Sequence, residues 1–226
     1  MKEIIYEDHD VLVCIKEAGV PVQSDLTSDI DLYTRLLEYI GKKTDRPYLG
    51  LVHRLDRPVG GLIVFGKTPQ ATAHLSKQLQ ERTIKKTYLT VVENQPQDAT
   101  LVDYLKKKFK GNVSSVVDQS TSKAKKAILH LRNLESIVFD DKVHTLLSVD
   151  LETGRHHQIR VQLSHAGYPI YGDTKYNPTF MEKKGWHQIA LYSYRIEFRH
   201  PKTRKVLKFE HMPTSEPFNM FDLEKA

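Results

Sequence analysis

Apolar positions in this chain change their period from one stretch to the next. Glu3–Glu7 and Val11–Ile15 are short β-like runs joined by an acidic turn. Leu32, Leu36, Leu37 and Ile40 keep helical spacing; Ser28 or Asp29 can cap the start of that helix, and Gly41 can stop it. Gly60-Gly61 precedes Leu62-Ile63-Val64-Phe65, a continuous apolar run that reads as a buried strand. Thr68-Pro69 is an N-cap and first-turn pair, and the helix it opens puts Leu75 and Leu79 on one face. Thr87–Val92, Ile128–Leu131, Val143–Leu151 and Ile189–Phe198 read as strands. Between the last two, Gln158–Ala166 is a short helix ending at Gly167, and residues 111–122 read as a polar loop. Strands outnumber helices, no βαβ rhythm appears, and no repeat or linker divides the chain. The pattern predicts a single α+β domain over residues 1–226 with a mainly antiparallel sheet.

Composition narrows the class. Of 226 residues, 39% are apolar and 27% charged, which excludes a disordered chain. The lone Cys14 excludes a disulfide framework and any multi-cysteine metal site. The first residues carry acids and no long apolar run, unlike a signal peptide. No apolar stretch reaches the roughly 18–20 residues of a membrane helix. A soluble, cytoplasmic protein with no membrane partner is expected.

The formal charge of +6 is unevenly placed. Lys106, Lys107, Lys108, Lys110, Lys123, Lys125 and Lys126 face one acid, Asp118, a local net of +6. Arg195, Arg199, Lys202, Arg204, Lys205 and Lys208 against Glu197 net +5. Basic clusters interleaved with Tyr104, Phe109, Tyr194 and Phe198 are the footprint of a nucleic-acid binder, although a solvated basic face has the same composition.

Residues 61–68 satisfy the phosphate-loop pattern G-x-x-x-x-G-K-[ST]. A phosphate cradle needs flexible residues whose N–H groups turn inward. Leu62, Ile63, Val64 and Phe65 instead commit theirs to a strand, so a nucleotide-binding protein is the weaker alternative.

Two segments hold more chemistry than folding requires. In His53-Arg54-Leu55-Asp56-Arg57-Pro58-Val59-Gly60-Gly61, an aspartate between two arginines sits in a tight loop. Neighbouring cations favour its ionised form, competent as nucleophile or base, and a structural ion pair in a turn fits the same residues. In Glu152-Thr153-Gly154-Arg155-His156-His157-Gln158-Ile159-Arg160, basic groups cluster at a strand-to-helix junction suited to an anion or a carboxylate. Metal binding is the rival there. Adjacent histidines on a helix project about 100° apart, and neither has a partner at ligand spacing, so no metal is expected.

These segments resemble the RluA-type RNA pseudouridine synthases. The signature H-R-L-D-x-x-[ST]-G-[LV] matches residues 53–61, K-x-Y-x-A-x-V matches Lys86–Val92, and T-G-R-x-H-Q-[IL]-R-x-H matches Thr153–Gln162. Gly167–Asp173 is similar to the family's G-x-P-I-x-G-D, Lys16–Gly19 to its N-K-P-A-G, and His200-Pro201 to its late H-P. The blocks keep family order from Lys16 to Pro201. Departures are Pro58-Val59-Gly60 in the signature, Glu17 for a proline, Gln162 for a histidine, and Leu191-Tyr192-Ser193 for L-H-A. Only ten residues precede the Val11 strand, so no S4-type N-terminal domain is expected.

The resemblance implies a pseudouridine synthase fold with a central RNA-binding cleft, acting as a monomer on ribosomal or transfer RNA without cofactor or metal. Asp56 matches the catalytic carboxylate, Arg160 the arginine that pairs with it, and Tyr88 the active-site tyrosine. Arg54 matches the residue that fills the gap left by a flipped base, assisted by His53. Arg57, Arg155, His157, Lys106, Lys107, Lys108 and Lys125 are expected at the RNA. A non-catalytic RNA-binding protein is the alternative that tolerates loss of Asp56.

Overall fold

The computed structural model describes residues 3–24, 30–185 and 187–226. Its elements run β1 (Ile4–Glu7), β2 (Val11–Lys16), α1 (Leu32–Gly41), β3 (Gly50–Leu51), β4 (Gly60–Gly66), α2 (Pro69–Gln80), β5 (Lys85–Glu93), β6 (Ala99–Lys107), β7 (Ser114–Val117), β8 (Lys125–Phe139), β9 (Lys142–Leu151), α3 (Gln158–His165), α4 (Pro178–Met181), β10 (Leu191–Arg199) and β11 (Val206–Glu210). Two short 3-10 turns follow. The chain forms two compact units: residues 1–86 with 193–211, and residues 87–192 with 212–226.

In the first unit the strand order is β1-β2-β4-β10, with β11 on β10 and β3 also on β4. Strand β2 runs antiparallel to β4, pairing Val13 with Val64 and Ile15 with Leu62. Alternate residues Val11 and Val13, Leu62 and Val64, Ile196 and Phe198 share one core with Leu75 of α2. Every position of β4 is buried, as expected for a strand covered on both faces. Thr68 caps α2 by accepting from the Ala71 N–H. Helix α1 buries Leu32, Leu36 and Ile40, matching the spacing read from sequence. Ser28 and Asp29, its expected caps, lie outside the described residues; the N-cap is Asp31, whose Oδ1 accepts from Thr34 N at 2.7 Å.

The second unit has the order β5-β9-β8-β6-β7. Its strand pairs are antiparallel, from Tyr88 opposite Val149 to Lys107 opposite Ser114. Helix α3 packs Val161 against Leu105 and Ala127. Here sequence and structure part in two places. Residues 114–117, expected within a polar loop, form β7, and Lys106 and Lys107 end the preceding strand β6. Strand β8 extends fifteen residues, well past Leu131, with a register shift between Asn133 and Glu135.

The phosphate-loop match is overturned by register. Residues Leu62–Phe65 pair with Ile15–Leu12 across the ladder. Lys67 Nζ is held by Glu7 Oε1 at 2.8 Å and by the Asp8 carbonyl, and Thr68 is a helix cap. No helix among the described residues is long and apolar enough to cross a membrane.

Candidate active site

The Asp56 loop leaves β3 and turns back into β4. The turn is closed by Val59 N donating to Asp56 O at 3.0 Å. Gly61 then takes φ +119°, and a Cβ there would lie 2.3 Å from the Ser193 carbonyl oxygen, so only glycine fits this passage. The Asp56 side chain is half-buried, while Arg54 and Arg57 are exposed.

A second segment fastens this loop. Lys16, at the end of β2, is wholly buried. Its ammonium donates to the carbonyls of Val20 at 2.7 Å, Glu17 at 2.9 Å and Arg57 at 3.1 Å. Arg57 and Gly19 bind reciprocally: Gly19 N donates to Arg57 O at 2.8 Å, and Arg57 Nε donates to Gly19 O at 2.9 Å. Burial pulls the Lys16 pKa down to about 7, and the nearby Asp56 carboxylate opposes that pull. Sequence reading placed Lys16 only within a family block and gave it no role. Replacing it by methionine strands three carbonyls around an apolar tip. The expected Lys16→Met result is a loss of roughly 2–3 kcal/mol of unfolding free energy, read by denaturant titration. Unchanged stability would show that the carbonyls find other partners.

His53, expected at the RNA, is instead inside the unit. It is 7% exposed, and its Nε2 accepts from Val64 N at 3.3 Å, which requires the neutral ring. Burial, reinforced by the Lys86 cation, lowers its pKa to about 3. A phosphate contact needs an accessible cation, and this side chain is neither.

In the second unit, Tyr88 lies on β5 and is 6% exposed. Arg160 lies on α3 and is buried with Asp173. Its Nε donates to Asp173 Oδ2 at 2.8 Å and its Nη2 to Asp173 Oδ1 at 2.7 Å, a two-pronged pair. Asp173 Oδ1 also accepts from the backbone N–H groups of Lys175 at 2.9 Å and Tyr176 at 3.2 Å. The carboxylate thus seats the guanidinium and folds the following turn around it. The family resemblance pairs Arg160 with Asp56 and gives Asp173 no role. A Gly-Asp pair thirteen residues beyond Arg160 was the available signal.

His157 also leaves the expected RNA surface. It occupies the position before α3 with φ 55° and is 7% exposed. Its Nδ1 lies 2.8 Å from the Tyr176 hydroxyl, which itself accepts from Ser114 N at 2.6 Å. A neutral imidazole can take the hydroxyl proton there. Burial first, then the cations of Arg160, His156 and Lys175, lower the His157 pKa to about 2, against the opposing Asp173 charge. His156 stacks on it with ring centroids 3.8 Å apart.

These two histidines set an acid sensitivity. The unfolded chain protonates histidine near pH 6.5, whereas His53 and His157 in the fold resist protonation down to about 3 and about 2. Below pH 6.5 the unfolded state therefore binds more protons, and stability falls as pH falls. Each ring contributes a slope of up to about 1.4 kcal/mol per pH unit. Unfolding free energy measured between pH 7.5 and 4.5 should decline more gently in His53→Gln than in the wild type. Parallel acid limbs would contradict the neutral buried ring.

Most of the expected RNA-contacting lysines lie together. Strand β6, with Lys106 and Lys107, pairs with β8, which begins at Lys125 opposite Leu105, and Lys108 follows β6 directly. Arg155 joins this surface half-buried, its Nε donating to Lys126 O at 2.9 Å. None of the seven lysines between 106 and 126 forms an ion pair among the described residues. The second basic block is partly neutralised, since Arg195 and Lys208 both meet Glu210, at 2.7 and 2.8 Å. No group of three or more potential metal ligands gathers among the described residues.

Comparison with known proteins agrees with this arrangement of motifs. A sequence model described as RNA pseudouridylate synthase matches residues 10–165. Ribosomal large subunit pseudouridine synthase D of Pseudomonas aeruginosa is 34% identical over 96% of this chain and 69% of its own length. The protein of that name from Neisseria meningitidis is 33% identical over 92% of this chain and 57% of its own length. An uncharacterised RNA pseudouridine synthase, YlyB, of Bacillus subtilis is 34% identical over 92% of the chain and 68% of its own. The chain spans 57% to 71% of the length of such curated relatives. A human protein titled RNA pseudouridylate synthase domain containing 1 shares the fold, with a TM-score of 0.76 at 20% identity over 93% of this chain and 83% of its own. With its family match covering well over half of the sequence, the chain belongs to the RNA pseudouridylate synthase family, in the RluA-type branch whose motifs it carries.

Proposed function

We propose that this chain converts a uridine of large-subunit ribosomal RNA to pseudouridine, acting as a cytoplasmic monomer with Asp56, Tyr88 and Arg160 as its catalytic residues. The reaction breaks the N1–C1′ bond, turns the uracil and forms C5–C1′; the C5 proton leaves to solvent and N1 takes one up. Asp56 attacks the ribose or removes a sugar proton. Arg160 matches the arginine that pairs with the catalytic carboxylate in the family. Tyr88 stacks on the uracil and takes the C5 proton.

The observation that carries this reading is the fastening of the Asp56 loop by the buried Lys16 ammonium, which leaves the carboxylate half-buried rather than sealed in the core. A reactive side chain needs a rigid support and an open side. Exposed Arg54 suits the space left by the extruded base, whose unstacking costs a few kcal/mol. Exposed Arg57, half-buried Arg155 and the clustered lysines Lys106, Lys107, Lys108 and Lys125 suit phosphates. The choice of ribosomal RNA rests on the names of the relatives. The test is tritium release from unmodified ribosomal and transfer RNA labelled at uracil C5. Release from the large-subunit RNA alone is expected; release from neither RNA sinks the proposal.

A further inference from the structure

The turn between β6 and β7 displays an aromatic ring that the fold does not use. Phe109 has 106% relative exposure, and Lys106, Lys107, Lys108 and Lys110 surround it in sequence. An apolar ring of that size in open water, beside four lysines of its own segment, contributes nothing to the core.

The turn itself is firmly held. Lys108 N donates to Val113 O at 2.8 Å across its mouth. Lys175 Nζ donates to the carbonyls of Asn112 at 3.1 Å and Gly111 at 3.4 Å. His156 bonds through Nε2 to Asn112 Oδ1 at 3.1 Å and through Nδ1 to Ser114 Oγ at 2.9 Å. Tyr176 receives the Ser114 N–H. Lys175 and Tyr176 are in turn fixed by Asp173, the partner of Arg160. One limb of the turn is pinned to α3 and the loop beyond it, and the other limb presents the ring.

We propose that Phe109 is a stacking platform for an unpaired RNA base lying outside the target nucleotide. The inference rests on the RNA reading above and adds a requirement to it: the substrate must offer an unpaired base beside the modified site. Bases inside a duplex already have both faces covered, whereas an unpaired base can lie flat on an aromatic ring. The flanking lysines bring phosphates to the ring, and the braced turn lowers the ordering cost of binding. A single ring with no exposed apolar neighbour in its turn is a poor membrane anchor by comparison.

Fluorescence anisotropy with labelled short oligouridine, and with an RNA duplex of equal length, tests this in the full chain. Phe109→Ala should weaken oligouridine binding about tenfold. Duplex affinity and the salt dependence should be unchanged, because no charge is lost. Phe109→Trp should restore affinity, and its emission above the Trp186 background should be quenched by oligouridine. Equal oligouridine affinity for wild type and Phe109→Ala overturns the proposal while leaving the enzyme reading intact. So does an equal loss on both RNAs. Phe109-dependent binding to phosphatidylglycerol vesicles with unchanged RNA affinity would assign the ring to a membrane instead. Absence of RNA binding by the wild type overturns both this inference and the reading it rests on.

Discussion

Asp56→Ala is expected to fold, to bind RNA nearly as well as the wild type, and to form no measurable pseudouridine. A side chain that attacks the sugar or removes its proton cannot be replaced by a methyl group. The single-turnover rate should drop by about 10²–10⁴-fold or more. The fold should tolerate the change because backbone carbonyls fasten the loop: Lys16 reaches the carbonyls of Glu17, Val20 and Arg57. Asp56→Asn keeps the shape and removes the charge, and should be equally inactive. Tritium release and RNA affinity measured together decide the matter. Substantial turnover by Asp56→Ala would leave the protein as an RNA binder whose chemistry lies elsewhere.

The second large effect belongs to the Arg160–Asp173 pair. Both side chains are almost completely buried, at 3% and 0% exposure, so removing one takes from the other its two-pronged partner. Asp173→Ala should cost about 3–5 kcal/mol of stability. It also withdraws the acceptor for the N–H groups of Lys175 and Tyr176. The disturbance should therefore reach the Phe109 turn that those two residues brace, weakening oligouridine binding as well. Arg160→Lys is the sharper probe, because it keeps the charge. An ammonium is a point donor and cannot reproduce the two parallel bonds at 2.8 and 2.7 Å. Its stability should fall by roughly 1.5–3 kcal/mol, and turnover should fall with it. Denaturant titration and single-turnover kinetics on the same preparation read both effects. Wild-type stability and turnover in Arg160→Lys would mean that the planar fork is dispensable.

Much of the first unit was legible because its elements are defined by local chemistry. Thr68-Pro69 is a helix start wherever it stands, and the Leu32–Ile40 spacing marks a helix face before any partner is known. Leu62–Phe65 is apolar at every position and becomes a strand buried on both faces. The second unit was harder. Strand β6 is only half-buried and ends in lysines, so it shows no clean alternation, and β7 is four residues inside a polar stretch. Both are strands because β8 lies along β6, and Leu105 and Val116 pack toward α3. Strand β11 was missed for a like reason: its alternately half-buried residues gain their pattern only by pairing with β10.

By itself the sequence determined the family, the candidate carboxylate, tyrosine and arginine, and the concentration of positive charge between 106 and 126. Motif identity and net charge are properties of the chain and survive any folding. Tertiary structure decided which basic residues remain available. His53 and His157 read as RNA contacts in one dimension, yet burial removes their charge and a backbone or tyrosine partner takes one nitrogen of each. It also decided that Lys16 and Asp173 are the supports beneath the loop of Asp56 and the guanidinium of Arg160. The reason is the same in each case: the cost of burying a charge, and the carbonyls or carboxylates that offset it, are set by neighbours distant in the sequence, and only the folded chain brings those neighbours within hydrogen-bonding distance.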